Sequence, residues 1–245
     1  MAQATGSGLA ARTLKELHAG FERRPDADWK VSGQKGFLTD KIPLDALFVK
    51  VWRSPTPHGK IVSIDTSIAR TLPGVVRVVT FADIPGVNGF GHKVQDQPVL
   101  CGDRVRMVGD PVIAIAAATP EQAASAVAAC RVDIEPLPVI VDPEEALKEQ
   151  AFQIYPNGNL CYERRHTSGD IKAAFSGSSF CVSDVYNTGR QFHIAMETEG
   201  GFVVPKPDGS LAVHVASHFP HGHRTAIAAI INVDPARIEV TATPM

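Results

Sequence analysis

Four histidines, His214, His218, His221 and His223, fall within a ten-residue span. Imidazoles at this density can bind zinc or another transition metal, provided their ring nitrogens converge. Convergence is the difficulty here. His214 lies on a predicted strand, the other three on a turn or at a helix start, and a histidine-rich tract is only a compositional hint. The alternative is a polar turn whose rings hydrogen-bond or face solvent. A second group is Gln191, His193 and Glu197. A carboxylate near an imidazole can do general acid–base work. The same pairing also occurs in ion-pair and hydrogen-bond networks with no catalytic role.

Other chemistry is weakly represented. The run Gly86-Val87-Asn88-Gly89-Phe90-Gly91-His92 resembles a phosphate-cradling loop only superficially. It lacks the full glycine order and a following helix, and reads as a flexible excursion. There is no Walker-type loop and no nucleophile elbow. The cysteines Cys101, Cys130, Cys161 and Cys181 form no C-x-x-C pair, which leaves iron–sulfur or zinc ligation within the chain unsupported. They read as reduced thiols of a cytoplasmic protein, each a small buried hydrophobe.

The elements that must position these groups alternate between strand and helix signals. Apolar, β-rich runs predict strands over 46–52, 61–64, 75–80 and 112–118, with 75–80 buried on both faces. Asp65-Thr66 can cap a short helix that Pro73-Gly74 ends. Thr119, Pro120 and Gln122 have the spacing of a capping box ahead of an alanine-rich helix over 123–130. A strand over 131–135 follows, bounded by Pro136 and Pro138. The charged run 144–149 reads as a solvated helix face. Further strands are predicted over 180–187 and 200–204. Pro207-Asp208-Gly209 predicts a hairpin between 202–205 and 211–216. A helix over 225–232 carries Ile227, Ile230 and Ile231 on one face, and a strand over 237–243 follows it. The class is α+β.

A chain of 245 residues has room for one or two domains. With 24 basic and 26 acidic side chains, nothing drives it toward nucleic acid or an anionic membrane surface. The sequence has no long apolar stretch of membrane-spanning length. Arg23-Arg24 is followed by Pro25-Asp26-Ala27-Asp28 rather than an apolar run, so a twin-arginine export signal is rejected.

Several blocks, in order, carry a resemblance. They are Asp26-Ala27-Asp28-Trp29-Lys30-Val31-Ser32-Gly33, Arg53-Ser54-Pro55 with His58 and Ile61, Ile64-Asp65-Thr66-Ser67, and Leu72-Pro73-Gly74-Val75. Val105-Arg106-Met107-Val108-Gly109-Asp110-Pro111-Val112 and Gln191-Phe192-His193 with Met196-Glu197-Thr198 come later. Together they resemble the amino-terminal part of the molybdenum-binding subunit of the xanthine dehydrogenase and aldehyde oxidase family. The resemblance implies a leader over 1–29, an a/b hammerhead domain over 30–141 and a connector over 142–168. Over 169–245 it implies the first portion of an α+β molybdopterin-binding domain. It implies hydroxylation of an aldehyde or N-heterocycle with oxygen from water, at a molybdenum–molybdopterin cofactor shared with a missing segment or partner chain. Iron–sulfur clusters and FAD would sit on partner chains or domains. The partners would be the remainder of the molybdenum subunit, the iron–sulfur and flavin subunits, and a small-molecule substrate, with no nucleic acid and no membrane.

The resemblance also assigns site residues. A strand ending in a Ser/Thr-Gln step delivers a glutamine toward an oxo ligand of the metal in that family. Here the run is Val215-Ala216-Ser217-His218-Phe219, so His218 stands where the glutamine usually stands. Either His218 keeps the donor role, or the metal contact is lost. Strand alternation would place it on the face shared with His214 and Ala216. Gln191 and Glu197 fall in a segment that shapes the wall of the cofactor site; Glu197 is not assigned as the base. The family's glycine-rich loop would follow Met245, and its substrate arginine and catalytic glutamate are absent. Three readings follow: one piece of a split molybdenum subunit, an inactive truncated product, or a non-catalytic binding or scaffold module.

Overall fold

The computed structural model describes residues 28, 31–32, 36–91, 94–194 and 199–243. Its main core is formed where two three-stranded sheets and a helix bring their apolar faces together. The first sheet holds β1 (Phe48–Arg53), β5 (Pro111–Ala117) and β3 (Val75–Val79), in the order β1-β5-β3 and antiparallel throughout. The second holds β4 (Arg104–Val105), β2 (Gly59–Asp65) and β6 (Arg131–Pro136), in the order β4-β2-β6. β5 is the central strand. Ile113, Ile115 and Ala117 are fully buried on one face, as is Val112 at the register shift, and Ala114 and Ala116 on the other face are half-buried.

α2 (Pro120–Ala129) covers the first sheet, packing on β1 and β5. Ala123 and Ala126 are fully buried at its contact face, where small side chains let helix and sheet approach. Its start is fixed by Thr119, whose side chain accepts a hydrogen bond from the Gln122 backbone N–H at 3.2 Å. Gln122 Oε1 is instead buried without a partner, so only one arm of the capping box forms. The short α1 (Ser67–Thr71) is also capped locally, with Asp65 accepting from the Ser67 N–H at 2.9 Å.

β3 departs from expectation. Val78 is buried, but Val76 is 59% exposed, because β3 is an edge strand rather than a central one. Apolarity in sequence does not fix a strand's place in the sheet.

The sequence blocks around Ser54 and Asp110 form one knot. Asp110 is buried, and its carboxylate accepts from the backbone N–H groups of Arg106 (2.6 Å) and Met107 (3.2 Å). Its carbonyl accepts from the Ser54 N–H (2.9 Å), and the Ser54 carbonyl accepts from the Gly109 N–H (2.8 Å). A register shift between Trp52 and Arg53 lets Arg53 donate from Nη1 to the Gly109 carbonyl at 2.9 Å. Gly109 has φ +94°, a conformation that favours glycine. Buried His58 is paired through Nδ1 with the Pro138 carbonyl and meets the Phe152 ring edge-on at 5.2 Å. Arg106 donates to the Ile154 carbonyl and lies over the Tyr155 ring. Residues 152–155 are therefore tied back to the first unit. α3 (Pro143–Ala146) is short and mostly exposed, as its charge run implies.

The loop over 86–97 is present but is not a free excursion. The Asn88 side chain accepts from Val99 and Leu100 N–H groups at 3.1 Å each and donates to the Leu100 carbonyl at 2.7 Å.

The second unit is a third sheet of β7 (Gly201–Pro205), β8 (Leu211–Val215) and β9 (Ile238–Ala242), with α5 (Pro220–Ile231) linking β8 to β9. β7 and β8 form the predicted hairpin, with Gly209 at φ +77° in its turn. β8 and β9 are parallel. Val213, Ala228 and Ile238 form the small core, with Ile227 and Ile231 packed on it. α5 starts earlier than predicted, at Pro220, which suits the first helical position. Asn232, at φ 55°, ends it in the left-handed region. The last carbonyls of α5 reach the first unit: Ile230 accepts from Gly86 N–H and Ala229 from Val87 N–H, both at 3.0 Å.

The predicted strand over 180–187 is absent. Apart from the short α4 (Ile171–Gly177), residues 161–194 are irregular and exposed. A strand pattern cannot form a ladder without a neighbour. The expectation that all four cysteines are buried is also corrected: Cys101 and Cys130 are buried, whereas Cys161 and Cys181, on this exposed segment, are not. The leader implied over 1–29 lies, apart from Asp28, outside the described residues.

Candidate functional site

β8, α5 and β9 form a strand–helix–strand unit with parallel strands. In such units the carboxyl ends of the strands and the amino end of the helix open on the same side, where ligands bind in α/β sheets. His218 sits at that end, between β8 and α5.

The local sequence fixes this turn. Ser217 is buried, and its Oγ accepts from the Phe219 N–H at 3.0 Å. The same oxygen is 3.0 Å from His223 Nδ1 on the first turn of α5. Ser217 Oγ, already an acceptor, is free to donate its hydroxyl proton to His223 Nδ1, which selects the Nε2-protonated ring. β8 ends at Val215, so strand alternation does not reach residue 218. Ser217 turns inward and His218 is exposed, rather than sharing a face with His214 and Ala216.

The histidine cluster is thereby divided. His214 stacks on Phe202 across the hairpin, with ring centroids 4.6 Å apart. His223 serves the turn, and His218 and His221 are exposed. Among the described residues, no group of three or more His, Cys, Asp or Glu side chains is arranged to hold a metal ion.

Gln191 and His193 are exposed on the irregular segment before β7, and no hydrogen bond or ion pair joins either to His218. Glu197 lies outside the described residues. The Gln191–His193–Glu197 group is therefore not brought to His218 within the described residues.

Two further groups belong to this end of the unit. Thr243 follows β9, and its N–H donates to the Val215 carbonyl at 3.1 Å. Thr243 is 4% exposed, yet its Oγ1 has no hydrogen-bond partner among the described residues. Arg224 Nε, on α5, is likewise buried and unpaired. Orphaned buried polar groups are uncommon and call for a reason. The helix amino terminus adds unpaired N–H groups and a partial positive charge. Hydroxyl, guanidinium and helix amides are a donor set suited to an oxygen-rich, anionic ligand, so the residues present fit a molybdopterin-type group. Sequence reasoning found His218 but missed Ser217, Arg224 and Thr243. Thr243 could have been found from its place after the second parallel strand; an unpaired atom could not.

Comparison with known proteins gives the same two units. Residues 32–138 match the aldehyde oxidase and xanthine dehydrogenase a/b hammerhead domain. Residues 154–245 match the molybdopterin cofactor-binding domain. Among curated relatives, a probable xanthine dehydrogenase subunit from Bacillus subtilis is 38% identical over 91% of this chain and 30% of its own length. The nicotinate dehydrogenase large molybdopterin subunit of Eubacterium barkeri is 34% identical over 86% of this chain and 50% of its own. The solved aldehyde oxidoreductase from Desulfovibrio gigas superposes with a TM-score of 0.82 at 29% identity, over 91% of this chain and 26% of that one. The chain thus spans half or less of the length of these relatives. With both domain models matched in order, and with relatives from the same family in sequence and structure, the chain belongs to the aldehyde oxidase and xanthine dehydrogenase family and corresponds to the amino-terminal portion of its molybdenum-binding subunit.

Proposed function

We propose that this chain supplies the hammerhead domain and the first part of the cofactor-binding domain of a molybdopterin-dependent hydroxylase. Its substrate class is an aldehyde or an electron-poor N-heterocycle, with water as the oxygen source. The rest of the molybdenum subunit completes the site, and iron–sulfur and flavin partners carry the electrons away. Boundaries near 30–141, 142–168 and 169–245 belong to the same reading. The observation that carries it is the parallel strand–helix–strand unit that presents His218 and holds two buried polar atoms, Thr243 Oγ1 and Arg224 Nε, each without a partner among the described residues.

When bound, the cofactor supplies the oxygen transfer and accepts the electrons. This chain's residues hold and orient it. Thr243 Oγ1 and Arg224 Nε, with the first N–H groups of α5, bind oxygen atoms of the anionic group. His218 holds a proton on one ring nitrogen and donates it as a hydrogen bond to an oxygen at the site, in place of the amide donor usual in the family. Ser217 and His223 keep that turn in register. The family resemblance assigns Gln191 and Glu197 to the wall of the site, as structural rather than proton-transferring groups; the described residues do not bring Gln191 to His218, and Glu197 lies outside them.

The test is co-expression of the full chain with the part of the Bacillus subtilis protein that lies beyond the matched portion. Molybdenum bound per complex and oxidation of an aldehyde or N-heterocycle are then measured. The expected result is stoichiometric metal. Loss of a hydrogen bond to a charged group costs about 1.5–3 kcal/mol. His218→Ala should therefore lower the rate by roughly ten- to a hundredfold, and His218→Gln should retain most of it. A complex without molybdenum would overturn the reading. Equal activity of both variants and the parent would leave His218 a turn residue.

A further inference from the structure

The segment over 161–194 is exposed along its whole length. Phe180 is 82% exposed, Val182 76%, Tyr186 86% and Phe192 87%. Single exposed apolar residues are ordinary, but a continuous apolar surface marks a binding site. The sequence here has strand character. Phe180, Val182 and Tyr186 share one face with Asp184, while Cys181, Ser183, Val185 and Asn187 share the other, and aromatic and β-branched residues make up half of the run. No ladder forms in the structure, and the one side-chain bond to this backbone is local, from Val185 N–H to Asp184 Oδ1 at 2.8 Å. Sequence pattern and structure disagree because a strand is a relation to a neighbour, which the described residues do not supply.

We propose that residues 180–187 become a strand by pairing with an open sheet edge in the remainder of the molybdenum-binding subunit, the polypeptide that in the relatives lies beyond the matched portion. This rests on the function proposed above. Two observations favour that occupant. The cofactor-binding domain model runs through the segment, so these residues belong to that domain rather than to a tail. The solved relatives hold roughly three quarters of their length outside the matched portion, as the 26% and 30% coverages show. The recognition mode is β-strand addition, in which main-chain hydrogen bonds give affinity and alternate side chains fill pockets. Phe180, Val182 and Tyr186 would face the partner from one side of the strand, with Asp184 of the same face at a polar or solvent-reaching position.

The experiment compares hydrogen exchange of the full chain alone with that of its complex with the remaining part of the Bacillus subtilis protein. Amides of 180–187 should exchange fast in the chain alone and slow by about tenfold or more in the complex. Val182→Pro and Tyr186→Pro, which remove a ladder donor, should abolish that protection, whereas Val182→Thr should keep it. A complex whose 180–187 amides stay fast would overturn the inference. So would protection already present in the chain alone, which would point to a second copy or to the chain's own sheet, and so would failure of any complex to form. Molybdenum content separates the two claims. A complex that holds metal but leaves the segment fast sinks only the strand, and one with a protected segment but no metal sinks only the proposed function.

Discussion

Asp110 offers the sharpest test of how the first unit is held together. Its carboxylate accepts two backbone N–H groups, from Arg106 and Met107, in a buried position. Its carbonyl anchors Ser54 from the turn after β1. In Asp110→Ala the two N–H groups lose their acceptor while the surrounding chain still covers them. Hydrogen bonds to charged groups contribute about 1.5–3 kcal/mol each. The lower end of that range for each of the two bonds gives a loss of about 3 kcal/mol. For a chain of this size that lowers Tm by roughly 6–12 °C. Asp110→Asn keeps an oxygen acceptor without the charge and should lose about 1 kcal/mol. Urea unfolding read by Trp52 on β1, in a Trp29→Phe background, isolates this unit, since the chain has only two tryptophans. The midpoint should fall with an unchanged slope. A midpoint loss worth less than about 0.5 kcal/mol for Asp110→Ala, or an Asn variant as damaged as the Ala variant, would refute the view that these two hydrogen bonds hold the knot.

Four further outcomes are expected. Gly86→Ala places a Cβ 2.0 Å from the Ala229 carbonyl oxygen, so both hydrogen bonds to the end of α5 should break, costing about 1–3 kcal/mol in thermal stability; unchanged hydrogen exchange at Val87 would contradict this. Cys161 and Cys181 should react with a thiol reagent in the native chain, whereas Cys101 should not, because burial pushes its thiol from 9.0 up to about 12. That shift also has a sign for stability: the unfolded chain releases the Cys101 proton first, so stability is full below about pH 9 and is lost as pH rises toward about 12, which alkaline denaturation of a Cys101→Ser variant checks by a flatter profile. Limited trypsin digestion should cut first at Arg164, Arg165, Lys172 or Arg190, all exposed, and first cleavage inside 105–135 would count against the fold.

The sequence made the hammerhead strands and α2 legible because their signals are local. The cap at Thr119 needs only Gln122, three residues on, and the turn at Gly209 needs only its own positive φ. β5 was legible because its apolar run is buried on one face and half-buried on the other, as suits a central strand. The same logic misled at β3, where an equally apolar run forms an edge. The start of α5 was hidden because Pro220, His221 and Gly222 are weak helix formers, and only the fixed turn before them shows that the helix begins there.

The candidate site divides along the same line. His218 was visible because histidine is a conspicuous residue in a motif position. What makes its surroundings a candidate cofactor site is a set of relations: the parallel pairing of β8 with β9, the Ser217 bond to His223, and the unpaired atoms of Thr243 and Arg224. None of these is a property of a residue type. The unpaired donors and the unpaired strand pattern at 180–187 are the same kind of feature at two scales, groups whose partners do not occur among the described residues. Buried donors without acceptors and apolar side chains held in water both cost free energy in the isolated chain. A folding unit that carries both gains stability when it meets the groups they fit. Cofactor and partner polypeptide should therefore stabilise this chain cooperatively. Adding the partner alone should raise Tm, and the molybdenum-loaded complex should raise it further. An isolated chain as stable as the loaded complex would mean that neither the unpaired donors nor the exposed segment awaits a partner.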